Sequence, residues 1–583
     1  MQYLLLFRPL CVLALVATGY SADLSPEKWG ASERARVEAL AQLPVPPAVH
    51  PIEAKSGVIS ATMSPIAVRA GLETLQQGGT AADAAATIAL TQVTTALGSY
   101  VSYAGALQLT YYEAKSHRVY AMNAGWNSYL GETEPQTIPT ADQPGAAQGR
   151  KTLVPGFMAG LAAMHQRFGV LPFADLCSPA IWYAENGVPV SPVFAGFFAA
   201  RQSYLARTAE GRAFLHQAAP DRLPVAGDRF VQAELAKTLR AVAQQGSQYM
   251  YTGDWGQAYV AAVQGAGGKI SLEDMKRYQP VWEEPLRTTF CGYTIHAPGA
   301  STEGGYQILQ TLNLLEALKT TARRPYWQEP QTLVDLARVL QFSAAGSALH
   351  PAVAATGAAA GLNLTLADRA TKPYANTALP LLDLVFNPPP AAGAPKHSDA
   401  IIVIDRWGNV AALVHTINTV LWGSTGLVVG GVPLSDAACY QQARLATLKP
   451  GERVPNEMAP LIAQADGKPT VALACIGASL VPETARLLLS RLAQGVDLPA
   501  AMAAPPLLLN VNFTQRATVH LPETGYDADF LAKLRALGIT VELQPQQQVW
   551  NLKGTAVIGE LAGPEAARRA VELPTVFSFA AGY

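Results

Sequence analysis

Charge is scarce in this sequence. Only 15 % of its 583 residues are Asp, Glu, Lys or Arg, and they nearly cancel to a formal net charge of −1. A chain without a basic field lacks the electrostatic footprint of a nucleic-acid binder, so no nucleic-acid partner is expected. Cysteine is scarcer, at five residues. Cys177, Cys291, Cys439 and Cys475 stand at no metal-ligand spacing, and three of them, Cys177, Cys439 and Cys475, lie in apolar contexts that suit a small buried hydrophobe. Neither a structural disulfide nor a metal site is expected. Beyond residue 22 no stretch is apolar and long enough to cross a bilayer, so the mature chain should carry no membrane span.

Hydrophobic residues make up half of the chain, with 48 Gly and 42 Pro. That balance suits a large α/β core and argues against disorder. Residues 1–22 are set apart: Arg8, an apolar core at 10–17 and the small-residue end Tyr20-Ser21-Ala22 read as a secretory signal peptide, with an uncleaved anchor as the alternative. The expected location is secreted or periplasmic.

Residues 387–424 organise the rest. A proline- and glycine-rich run at 387–395 suits neither helix nor sheet and acts as a connector. It delivers the chain to Lys396-His397-Ser398-Asp399 and then to a β-branched run at 401–405 that reads as a buried strand. Trp407-Gly408-Asn409 turns the chain, and residues 410–416 return as a second strand. A strand that opens on a hydroxyl residue after a cuttable linker suits an N-terminal nucleophile. Cleavage before Ser398 would free an amine that serves as base for its own hydroxyl. His397 and Asp399 flank Ser398, but strand neighbours point to opposite faces, so a Ser-His-Asp triad is not expected.

Asp405-Arg406-Trp407-Gly408-Asn409 followed by Thr416-Ile417-Asn418-Thr419 resembles the nucleophile hairpin of the gamma-glutamyltranspeptidase (glutathione hydrolase) family, with serine where the family has threonine. Further motifs resemble the family in the same order: Gly78-Gly79-Thr80-Ala81-Ala82-Asp83, Val154-Pro155-Gly156, Ala159-Gly160-Leu161 with His165, Pro450-Gly451-Glu452-Arg453, and the glycine-serine turn at Gly477-Ala478-Ser479. His165 lies mid-helix, where packing is its expected role. Residues 23–54 read as a surface arm, an alanine-rich helix is expected after Gly78-Gly79, Ser301 and Thr302 read as caps of a helix that starts near Gly304, and a long helix is expected at 483–494. The resemblance spans roughly residues 56–583. It implies an α/β fold, the N-terminal-nucleophile hydrolase four-layer αββα sandwich, made as one self-cleaving precursor without metal or cofactor. The implied parts are a signal peptide at 1–22, a large-subunit-like region at 23–397 and a small-subunit-like region at 398–583. The two fragments would associate as a heterodimer.

By this resemblance Ser398, Thr416 and Asn418 are the catalytic candidates: nucleophile, partner of its new amine, and substrate-binding neighbour. Substrate-binding candidates are Asn456, Glu457, Ser479, Leu480 and Val481. Here the chain departs from the family. The family's carboxylate-binding arginine is missing; residues 121–138 hold no Arg or Lys, and the matching place reads Gly125-Trp126-Asn127. The family's paired serines fall on Asn456 and Glu457, and a carboxylate at 457 repels a substrate carboxylate. The glycine pair of the oxyanion hole falls on Leu480 and Val481, where only backbone amides can serve. Asp436 stands near the place of the acidic residue that grips the substrate amine. The expectation is an amidohydrolase or transferase acting on a small-molecule or peptide amide, with weak or absent glutathione hydrolysis. The alternative is an uncleaved, non-catalytic binding or scaffold protein on the same fold.

Overall fold

The computed structural model describes residues 21–43, 50–143, 145, 148–385, 398–508, 518–546, 549, 553–562, 567–572 and 578–583. Most of the leader read at 1–22 and the linker up to His397 therefore lie outside the described residues.

Two antiparallel sheets of seven strands stack face to face. The first runs Ser578–Gly582, Val58–Thr62, Ser398–Ile404, Val410–Thr416, Ala106–Glu113, Arg118–Ala124, Val281–Glu283. The second runs His50–Ala54, Ala567–Glu572, Gly554–Ala562, Lys468–Gly477, Leu461–Ala465, Tyr293–Ala297, Leu286–Phe290. The central hairpin is apolar on both faces because both are covered. Ala400, Ile402, Ile404, Ala412 and Val414 meet Ile462, Ala474 and Val557 of the second sheet. Ile401, Val403, Ala411 and Leu413 face an outer layer of helices instead.

That outer layer begins with Pro65–Gln76, which Ser64 caps by accepting from the Ala67 amide. Next comes Ala81–Thr95, opened by a reciprocal capping box between Thr80 and Asp83 and buried at every position. An alanine-rich surface lets this helix lie close against the sheet. Glu303–Ala317, Pro330–Ala345 and Leu480–Leu488 cover the second sheet. The layers are thus helix, sheet, sheet, helix, as the sequence resemblance implies.

Three local expectations change. Residues 23–54, which read as a surface arm, form the helix Ala31–Gln42 and the edge strand His50–Ala54, anchored by buried Leu24, Trp29 and Val37. Thr302 precedes the helix at 303, but its hydroxyl does not cap it; Thr302 Oγ1 turns to Gln108 and Ser301 Oγ accepts from Asn123. The helix expected at 483–494 starts earlier, at Leu480, and widens into a looser turn from Leu489. His165 bonds the Leu171 carbonyl at 2.6 Å and sits 3.7 Å from Asp83, so it ties a loop to the helix layer. Cys177, Cys439 and Cys475 are buried free thiols and Cys291 is a half-buried one. Among the described residues no helix is long and apolar enough to cross a membrane.

Candidate active site

Asp405 sets the register of the central hairpin. Its Oδ1 accepts from the Trp407 and Asn409 amides at 2.9 and 3.0 Å, and its Oδ2 accepts from Asn409 Nδ2 at 2.8 Å. The same Oδ2 accepts from the Ala81 amide at 2.9 Å, pinning the turn to the start of the buried helix. Burial pushes this carboxyl above the ordinary range, against the pull of those bonds. The turn thereby places Ser398 directly opposite Thr416.

Both residues fall on the inter-sheet face, in phase with Ala400 and Val414. Ser398 Oγ donates to Thr416 Oγ1 at 2.8 Å, and the Asn418 amide donates to the same oxygen at 2.8 Å. Asn418 takes a left-handed backbone, φ +52°, which brings its amide back to the strand end.

The neighbouring pair points the other way. Asp399 accepts from Thr62 Oγ1 at 2.9 Å, and His415 Nε2 meets Gln92 Oε1 at 2.9 Å. Gln92 Nε2 donates to the Thr62 carbonyl, so its Oε1 is the acceptor and His415 Nε2 carries the proton. Burial drives the Asp399 carboxyl well above its ordinary range and the His415 imidazole down to about 3. His415 is therefore neutral at ordinary pH, and both side chains lie on the wrong face to relay a proton from Ser398.

Ser398, Thr416, Asn418, Asn456, Glu457 and Leu480 line one cleft, completed by Trp126, Met458 and Gly477. Its free volume is about 20 Å³, room for about one water. Gly477, at φ +90°, turns the strand end into the helix Leu480–Leu488. The first amides of that helix, Leu480 and Val481, have no partner within it, and Pro482 has no N–H. Ser479 lies buried beneath this turn, accepting from the Glu483 amide through its carbonyl. The Val481 side chain packs on the outer helical core, leaving only its backbone near the turn. Trp126, Met458 and Gly477 were not singled out as site residues by the sequence. Trp126 had a signal, since it stands where the expected arginine is missing.

Electrostatics at the rim differ from a simple acidic wall. Arg444 Nη2 lies 3.3 Å from Glu457 Oε1 and its Nη1 donates to the Pro455 carbonyl at 2.8 Å. The Glu457 charge is therefore balanced locally. Arg453 donates through its terminal nitrogens to the carbonyls of Asn123, Gly125 and Gln279 and to Tyr278 Oη, bracing the cleft from behind. Asp436 is fully buried, with its oxygens held by Thr419 and Ser424 at 2.6 and 2.5 Å, so it is committed to shaping the loop.

The sequence pattern of the family described as Gamma-glutamyltranspeptidase matches residues 67–566. Similar curated proteins include the glutathione hydrolase proenzyme of Bacillus subtilis, 26% identical over 521 residues, covering 83% of this chain and 85% of that protein. The acylase ACY 1 proenzyme of a Pseudomonas species (strain V22) is 27% identical, covering 76% of this chain and 81% of its own length. Among solved structures, the cephalosporin acylase from Bacillus halodurans superposes with a TM-score of 0.76 at 20% identity, covering 93% of this chain and 98% of its own. With the sandwich, the nucleophile hairpin and a match over most of the sequence in hand, the chain belongs to the gamma-glutamyltranspeptidase family of N-terminal-nucleophile hydrolases and transferases.

Proposed function

We propose that this protein is a self-cleaving amidohydrolase whose nucleophile is Ser398 and whose substrate lacks the free α-carboxylate of a γ-glutamyl group. The observation that carries the reading is the Ser398–Thr416 hydroxyl pair at 2.8 Å, held at the mouth of a cleft by a hairpin locked through Asp405. In maturation, Ser398 Oγ attacks the carbonyl of residue 397. The C–N bond breaks, an ester to the serine oxygen forms, and the nitrogen becomes the Ser398 amine. Water then hydrolyses the ester, freeing the hydroxyl and a carboxylate on residue 397. In turnover that amine takes the proton of the Ser398 hydroxyl as it attacks the substrate amide, then returns it to the leaving amine. Water resolves the acyl-serine in hydrolysis, and an amine resolves it in transfer. Thr416 orients the new amine, and the free amides at the start of the helix at Leu480 receive the developing oxyanion.

The substrate assignment rests on what surrounds the nucleophile. No guanidinium or ammonium group lines the cleft among the described residues, and the carboxylate of Glu457 already neutralises Arg444 beside it. A buried substrate carboxylate would lack a counter-ion. The leader read in residues 1–22 supports a secreted or periplasmic location, and the shared first sheet supports a heterodimer of fragments 23–397 and 398–583.

A denaturing gel of the purified protein tests the reading. Two bands, near two-thirds and one-third of the mature chain, are expected, and the smaller must begin Ser-Asp-Ala-Ile. A single intact chain would instead favour a non-catalytic binding protein. A rate on γ-glutamyl p-nitroanilide equal to that of the glutathione hydrolases would refute the substrate assignment alone.

A further inference from the structure

Two residues that line the nucleophile's cleft each bury a donor with nothing to donate to. Trp126 Nε1 and Asn456 Nδ2 are sealed from solvent, and neither has a hydrogen-bond partner among the described residues. Both residues line the cleft that holds Ser398. Turning the Asn456 amide does not remove the orphan, because its Oδ1 already accepts from the Met458 amide at 3.0 Å. Nδ2 is the end left over, packed against Gly125, where a Cβ would come within 3.2 Å of it. Unpaired buried donors are rare in native folds and call for a reason. Two in one cleft, beside a nucleophile, point to a ligand acceptor.

The chemistry of the pair narrows that acceptor. Both groups are donors only at the atoms in question, so a hydroxyl there would leave its own proton unmatched. Both are neutral, and the nearby cation Arg444 is already balanced by Glu457, so a carboxylate would be buried without compensation. A neutral carbonyl oxygen, with lone pairs and no proton, is the acceptor that suits such donors. Resting on the amidohydrolase reading above, we propose that Trp126 and Asn456 are specificity-determining residues, and that the substrate class is an N-acylated amine whose acyl chain carries a second, uncharged carbonyl.

The probes are p-nitroanilides offered to the matured protein: levulinyl, with a ketone on the chain; valeryl, with a methylene in its place; and glutaryl, ending in a carboxylate. Levulinyl is expected to exceed both others in kcat/KM by about tenfold or more. Trp126→Phe keeps the aromatic body without the N–H. Asn456→Asp keeps the acceptor for Met458 without the donor. Each should bring the levulinyl-to-valeryl ratio close to one, a ratio that a general loss of stability would not move. A ratio that stays high in both variants, a wild-type ratio near one, or a preference for glutaryl overturns the assignment. If hydrolysis persists in Ser398→Ala, the amidohydrolase reading falls. If hydrolysis needs Ser398 but ignores Trp126 and Asn456, only the present inference falls.

Discussion

Thr416 Oγ1 sits between two donors, the hydroxyl of Ser398 and the amide of Asn418, each at 2.8 Å. The acceptor is thus already in place opposite Ser398 while the chain is intact. Ser398→Ala should leave a single uncut chain without hydrolytic activity, whereas Ser398→Thr should keep both steps, since only a hydroxyl is required. Thr416→Val preserves shape but removes the acceptor, and should slow self-cleavage and anilide hydrolysis by about 10²-fold. Time courses on denaturing gels, read beside anilide hydrolysis, check both steps. Normal rates in Thr416→Val would remove the residue from the mechanism.

The hairpin that begins at Ser398 is stitched on both sides. Residues Ile401 to Ile404 pair with Ala61 to Val58, and Val410–Thr416 pairs along its whole length with Ala106–Glu113. A cut before Ser398 leaves these ladders and the apolar layer between the sheets untouched. The two fragments should therefore run as one species on gel filtration, in equal amounts, and stay together in 1 M salt, because an apolar interface is not screened. Separation should need denaturant. Fragments that part in native buffer would contradict a shared sheet.

What the sequence disclosed depended on whether the signal was local. Asp405 through Asn409 announces a turn by its own chemistry, and the flanking β-branched runs announce strands, so the hairpin and the position of Ser398 were readable. The buried helix Ala81–Thr95 was readable too, through its cap and its alanines. The balance of Glu457 by Arg444 was not, because the two meet across a loop with no periodicity. A carboxylate at 457 reads as repulsion until its partner is seen. Trp126 was visible only as a missing arginine; its place beside Asn456 depends on two sheets stacking. Residues 23–54 misled because their polar composition hides the few apolar anchors, Leu24, Trp29 and Val37, that bury them.

His415 should make stability depend on pH in a defined direction. Burial holds its folded-state pKa to about 3, so the native protein keeps the imidazole neutral while the unfolded chain protonates it below its ordinary value. The unfolded state then binds more protons, and this residue's share of stability is lost as pH falls from the ordinary histidine range toward about 3. By pH 5 about 2 kcal/mol of that share is lost. His415→Gln removes the titration, so its melting temperature should drop less than that of the wild type between pH 7.5 and pH 5. His296 and His520, also lowered by burial, keep some acid sensitivity in both proteins, so the difference between them is the quantity to read. Identical slopes would mean that the folded protein accommodates a charged His415.

Removing the charge on Glu457 should partly restore recognition of a carboxylate. At the rim of the cleft Arg444 is occupied by Glu457 at 3.3 Å, and both side chains are about one-third exposed, so the pair is screened and modest in strength. Glu457→Gln keeps the size of the side chain and leaves the guanidinium free to meet an anionic substrate. The expected result is a rise in kcat/KM for γ-glutamyl p-nitroanilide of about three- to tenfold at low salt, with little change for an uncharged acyl anilide. The gain should shrink as ionic strength rises, since an exposed cation attracts less through a shorter Debye length. Arg444→Ala added to Glu457→Gln should abolish it. A gain that ignores salt, or that survives loss of Arg444, would place its origin in packing and not in the released charge.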